Sequence, residues 1–216
     1  MPHPIGILGG TFDPLHLGHL SMAQWSAERL GLNQLWLMPA GQPPHKADRP
    51  VTAAVHRLRM VELAAADNPL LRVCRHEIDK TTPSYTLETL SELALEERPW
   101  LIIGLDSLLA LPGWHRWLEF PRFCRLAVLP RQHAQIQNAR DMEHWVEAHL
   151  PGFSGQVRWL DLPQIDISST LLRRMLVAGH DCRYCLHPAV WQYIQQQGLY
   201  RAEQSGVRTG LKSEEA

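Results

Sequence analysis

The stretch IGILGGTFDPLHLGH, from Ile5 to His19, follows a short apolar run with two glycines and then sets two histidines three apart around a third glycine. A glycine pair directly after a buried strand lets the backbone turn tightly and come close to a ligand. The amides that follow can point at an anion, with the positive end of the next helix behind them. Gly9, Gly10, Thr11 and Phe12 therefore read as a phosphate cradle. Asp13-Pro14 begins a turn, and His16 and His19 stand on one face at the mouth of the following helix. Gly18 between them is expected to keep a side chain out of a nucleotide's path. Histidines at this spacing could instead ligate a metal, although no third ligand is close in sequence. A bare Gly-Gly turn by itself serves many strand-to-helix connections.

Two further segments could hold phosphate. The string PPHK, Pro43 to Lys46, is a proline-stiffened loop ending in a cation, and Lys46 can reach phosphate oxygens as a point charge. Alone it is equally an ordinary surface loop. In ISSTLLR, Ile167 to Arg173, Ser168 and the hydroxyls beside it can cap a helix starting near Thr170, and Arg173 one turn on can fork onto phosphate. A third string, HDCRYCLH from His180 to His187, offers two cysteines and two histidines that could in principle bind zinc. Short strings match such patterns by accident, and the competing reading is a loop leading into a helix near Pro188. Cys74 and Cys124 sit in apolar stretches and read as small buried hydrophobes.

These groups need elements to hold them. Ile5–Leu8, Leu35–Met38, Leu71–Cys74, Trp100–Ile103, Leu126–Leu129 and Val157–Leu160 read as strands. Leu17–Leu30 closed by Gly31, Ala53–Ala66, Ser84–Glu96, Met142–His149, Thr170–Val177 and Ala189–Gln197 closed by Gly198 read as helices. The alternation predicts an α/β chain: a Rossmann-like doubly wound parallel sheet with a small helical C-terminal portion from about residue 168. Such a sheet keeps its site beyond the carboxyl ends of the strands, where the turns after Leu8 and Ile103 fall.

Size and composition set bounds. A chain of 216 residues with 45% hydrophobic content fits one domain, here 1–201, with a polar, frayed tail over 202–216. No apolar run of about 18 residues is present, and the opening MPHPIGIL lacks a basic region and a cleavage pattern. The expectation is a cytoplasmic protein with no membrane partner. With 21 basic against 22 acidic residues there is no field to wrap nucleic acid, so an anionic ligand needs a local site.

The string GGTFDPLHLGH resembles the nucleotidyltransferase superfamily that carries the H-x-G-H motif, in which both histidines touch the phosphates of a bound nucleoside triphosphate. ISSTLLR is similar to that group's I-S-x-T-x-x-R string, which binds ATP phosphates. With PPHK, PSYT from Pro83 to Thr86, IGLDSL from Ile103 to Leu108 and WHRW from Trp114 to Trp117, the series resembles the bacterial nicotinate-mononucleotide adenylyltransferase family from Ile5 to Arg201. The resemblance implies adenylyl transfer from ATP to nicotinate mononucleotide with Mg2+ held by the ATP phosphates, giving deamido-NAD and pyrophosphate. His16, His19, Lys46 and Arg173 would serve catalysis, with the histidines stabilising charge and not acting as bases. Gly9, Gly10, Thr11, Phe12, Ser168 and Thr170 would join them at ATP, and Lys46 would also reach the mononucleotide. Thr86 and Trp114 would border the nicotinate ring and Asp106 would lie near the mononucleotide, unless Asp106 caps a helix after Gly104.

Two positions depart from the family. Leu105 replaces a frequent Gln, which costs nothing if that position uses only its backbone. PRQH, Pro130 to His133, retains only Arg131 where consecutive arginines are common. Pantetheine-phosphate adenylyltransferase shares the histidine motif but lacks the S-Y-T and P-P-H-K strings in this order. A cytidylyltransferase is a more distant rival, and a nucleotide-binding regulator without catalysis would not need the whole set of cations.

Overall fold

The computed structural model describes residues 4–41, 51–80, 82, 84–130, 136–150 and 152–201. PPHK with Lys46, Pro83 of PSYT, Arg131 and His133 of PRQH, and the 202–216 tail lie outside the described residues.

Six strands, β1 (Ile5–Gly10), β2 (Gln34–Pro39), β3 (Leu71–Val73), β4 (Trp100–Gly104), β5 (Arg125–Leu129) and β6 (Val157–Trp159), join in the order β3-β2-β1-β4-β5-β6. Every pairing is parallel. This is the doubly wound arrangement expected from the β-α alternation, and it reverses direction between β1 and β4. The central strands are apolar throughout because both faces are covered. Side chains alternate between those faces. Leu8, Ile102 and Ala127 join one core, while Ile7, Leu101, Ile103, Leu126 and Val128 join the other.

The first core lies under α1 (Leu17–Leu30), α2 (Ala54–Ala65), α7 (Ser169–Val177) and α8 (Pro188–Gln197), through Ala23, Met60, Leu172 and Ile194 among others. The second lies under α3 (Thr86–Glu92), α4 (Leu105–Ala110), α5 (Phe120–Phe123) and α6 (Ala139–His149). Gly31 and Gly198 end α1 and α8 in the left-handed conformation, at φ of 62° and 61°. Leu32 N and Leu199 N then return to carbonyls of the last turns, as expected for such ends.

Four helices differ from the sequence reading. The helix expected over Ser84–Glu96 runs only from Thr86 to Glu92, and Ala94 is left-handed at φ 44°. Leu93 and Leu95 pack against the second core, which outweighs the local helix preference of a run of good helix formers. The short helices α4 and α5, between β4 and β5, were not anticipated. Asn138 accepts from Asp141 N and starts α6 three residues early. Among the described residues no helix is long and apolar enough to cross a membrane.

Candidate active site

Beyond the carboxyl ends of β1 and β4, at the switch in strand order, lies one cleft of about 1240 Å³. At one end its wall is Gly9, Gly10 and Thr11, from the end of β1 and the turn after it, with His19 from α1. At the other end it is Thr86, the first residue of α3, with Asp106 of α4 and Trp114. The segment 162–166 before α7 forms a further side through Ile165 and Asp166.

The three glycines of the motif have separate reasons. A Cβ on Gly10 would lie 2.8 Å from Phe12 Cε1, and one on Gly18 would lie 3.1 Å from His16 Cε1 and Nδ1. Gly18 therefore makes room for the imidazole itself, which corrects the expectation that it clears a path for the ligand. Gly9 is the one whose missing side chain opens onto the cleft: it is exposed, and a Cβ there meets nothing closer than 4.0 Å. Phe12 is buried in the first core at φ 49°, so its ring is absent from the cleft wall. It meets the His19 ring edge-on at 5.1 Å.

His16 and His19 stack at 3.7 Å between centroids. His19 Nδ1 accepts from His16 N at 3.3 Å, so a neutral His19 ring holds its proton on Nε2 as a donor. His16 stands behind it, 4% exposed and off the cleft wall. Burial lowers its pKa to about 4. Its ring is thus neutral at pH 7.

At the far end, Trp114 is half-buried, with Phe120 edge-on at 5.7 Å holding it in place. Tyr85 and His115 face each other at 4.6 Å on the same wall. Asp106 occupies the first turn of α4, where Gly104, not Asp106, is the N-cap residue. Leu105 is 0% exposed and packs in the second core, away from the cleft wall. Its position therefore offers the cleft no side chain, in line with a backbone-only use. Glu77 lines the cleft as a largely buried carboxyl whose Oε1 accepts from Thr89 Oγ1 at 3.1 Å, and burial raises its pKa.

ISSTLLR takes a position beside the bend instead of on the cleft wall. Ser168 caps α7 by accepting from Leu171 N at 3.2 Å, and Thr170 lies exposed in the first turn. Ser169 Oγ donates to Pro14 O at 3.0 Å, and Arg173 Nη1 donates to Asp13 O at 2.7 Å. The helix is thereby docked on the turn that leads to His16. Cys182 is turned into the first core, and His187 accepts from Ala189 N to cap α8. Among the described residues no three metal-ligating side chains converge.

Three residues to which the sequence reading gave no bracing role hold this bend. Arg57, 2% exposed, donates to four carbonyls: Thr52 O and Thr11 O at 2.9 Å, Ala40 O at 2.7 Å and Gly41 O at 2.9 Å. Burial lowers its pKa, opposed by the charge of Asp13. Asp13, 4% exposed, accepts from Thr52 N at 3.2 Å and from Tyr200 Oη at 2.6 Å. A signal for Arg57 did exist: it shares the helical spacing of Met60, Val61 and Ala64 and so falls on the apolar face of α2. Tyr200 and Asp13 carry no such local sign.

The cytidylyltransferase-like family model matches residues 7–175. A probable nicotinate-nucleotide adenylyltransferase of Aeromonas hydrophila is 42% identical, covering 92% of this chain and 97% of that protein. One from Dehalococcoides mccartyi is 40% identical with the same coverage. Among solved structures, a Plasmodium falciparum nicotinic acid mononucleotide adenylyltransferase complexed with NaAD has the same fold, with a TM-score of 0.70. It is 20% identical, over 92% of this chain and 98% of that one. With its histidine bend, its cleft at the strand switch and relatives of this similarity over nearly its whole length, the chain belongs to the nicotinate-nucleotide adenylyltransferase family, within the cytidylyltransferase-like group.

Proposed function

We propose that this protein transfers the adenylyl group of ATP to nicotinate mononucleotide, giving deamido-NAD and pyrophosphate. The observation that carries this reading is one continuous cleft with two chemically different ends. One has glycine amides and an imidazole donor suited to phosphates, and the other an indole and a hydroxyl suited to a pyridine ring.

The mononucleotide phosphate is already an anion, so it needs no general base. One of its oxygens attacks the α-phosphorus of ATP in line, a P–O bond forms, and the bond to the β-phosphate oxygen breaks to release pyrophosphate. The obstacle is an anion meeting a polyanion. Donors aimed at the charge that develops lower it by electrostatic stabilisation and alignment. His19 Nε2–H is the donor on the cleft wall. His16, buried and neutral, supports it by stacking and through its main-chain N–H, which fixes the His19 tautomer. Gly9, Gly10 and Thr11 border the triphosphate, and α7 brings Arg173 to the same bend with Ser168 and Thr170. Lys46 would add a further cation.

Trp114 stacks on the nicotinate ring, Thr86 donates to its carboxylate and Asp106 lies near the mononucleotide. An amide in place of the carboxylate would set donor against donor, which favours the acid. Mg2+ would enter this cleft as a companion of the ATP phosphates, since it keeps most of its waters when it binds through phosphate oxygens. When bound it neutralises the phosphate charge.

The test is pyrophosphate release with ATP and Mg2+, supplying nicotinate mononucleotide, nicotinamide mononucleotide or phosphopantetheine in turn. Turnover is expected with the first well above the second. Turnover with phosphopantetheine and none with nicotinate mononucleotide would overturn the assignment.

A further inference from the structure

Asp13 sets a problem for the bend it belongs to. It is a buried carboxylate in the turn that leads to both histidines, and Arg173 stands beside it. Arg173 Nη1 is spent on the Asp13 main-chain carbonyl at 2.7 Å, while its approach to the carboxylate, at 3.9 Å to Oδ2, is loose. Among the described residues the guanidinium makes no other hydrogen bond, and a third of the side chain is exposed. A buried carboxylate next to an arginine ordinarily closes into a two-pronged pair, the strong geometry for these groups. Here both carboxylate oxygens are already supplied by other donors: Oδ1 by the Tyr200 hydroxyl at 2.6 Å and Oδ2 by Thr52 N–H at 3.2 Å.

We infer that Tyr200 is a positioning residue for ATP: by occupying Asp13 Oδ1 it keeps Arg173 from closing on the carboxylate and leaves the remaining guanidinium donors for the triphosphate. The inference rests on the reading of Arg173 as a triphosphate ligand. Burial keeps the Tyr200 hydroxyl protonated, since its pKa is raised by desolvation first and by Asp13 second, so it acts as a donor at any working pH. Without that hydroxyl, Asp13 Oδ1 would be a buried acceptor in want of a donor, and the Arg173 guanidinium already stands 3.9 Å from the other oxygen of the same carboxylate. The carboxylate and the triphosphate would then compete for one cation.

The experiment is steady-state kinetics with ATP varied at saturating mononucleotide. Tyr200→Phe keeps the ring and is expected to raise KM for ATP about threefold to tenfold, with kcat within about twofold of the parent. Adding Asp13→Asn to it should return KM towards the parent, because a neutral amide does not capture the guanidinium. In an Arg173→Gln background the Tyr200 substitution should shift KM by less than about twofold. An unchanged KM in Tyr200→Phe, a shift as large in the Arg173→Gln background, or a fall in kcat and melting temperature without a KM shift each overturns the inference while the reading of Arg173 stands. An Arg173→Gln variant with unaltered KM has a different signature: it removes that reading and the inference together.

Discussion

His16 and His19 lie 3.7 Å apart in different media, and their chemistry diverges accordingly. His19 borders the cleft with its Nδ1 engaged, so its other nitrogen is the donor that meets ligand. His19→Ala is expected to lower kcat by about two orders of magnitude with a much smaller effect on KM for ATP, since one aimed donor is lost at the moment charge develops. Single-turnover measurement of pyrophosphate release checks this. His16 shapes stability instead. Its pKa of about 4 in the folded chain lies below the ordinary 6.5, so between those values the unfolded chain holds the additional proton. Stability therefore rises with pH through that window. Lowering the pH from 6.5 to 4 should cost on the order of 3 kcal/mol through this ring alone. Urea midpoints measured across the window should slope upward with pH, and His16→Gln should flatten the slope. The motif and its glycines were readable in the sequence, but this division between the rings was not, because burial depends on neighbours far along the chain.

Arg57 is the clearest case of an element serving the site without touching it. Its guanidinium joins the turn after β1, the exit of β2 and the residues leading into α2 through four carbonyls. Gly41 at that exit packs so closely that a Cβ would lie 2.3 Å from Glu77 O. Arg57→Ala would strand those carbonyls and remove one of the two cations whose charge offsets Asp13, and is expected to destabilise the fold by about 3 kcal/mol or more. Arg57→Lys, a point charge that cannot span four acceptors, should recover only part of this. Urea unfolding of both variants checks the order. The principal strands were legible as apolar runs flanked by turn residues, and Gly31 and Gly198 marked helix ends by their own chemistry. Ala94 shows the limit: nothing in LALEE announces a stop, and the helix ends there because Leu93 and Leu95 meet the core. Helix α4 was missed because six residues are too few for a helical period to declare itself.

Across the whole molecule, the reversal of strand order between β1 and β4 leaves a cleft whose two ends come from opposite halves of the sheet. Binding energy at the two ends should therefore separate in kinetics. Trp114→Ala is expected to raise KM for the mononucleotide roughly threefold to tenfold and leave KM for ATP nearly unchanged, the reverse of what substitutions around Asp13 do. Initial rates with each substrate varied in turn give the comparison. Much of the cleft's cast was visible as strings in order along the chain, because Gly9, His19, Thr86 and Trp114 each sit in a short distinctive context. The bracing of the bend from the C-terminal segment was invisible for a simple reason: its partners are 155, 160 and 187 positions away.

That separation also bears on biosynthesis. A ribosome delivers the histidine bend long before it delivers α7 or Tyr200, so the growing polypeptide can assemble most of its sheet while the bend lacks its clasp. Competence to bind nucleotide should consequently arrive late, once the segment around residue 200 has cleared the exit tunnel, and a partly made chain should leave cellular ATP alone.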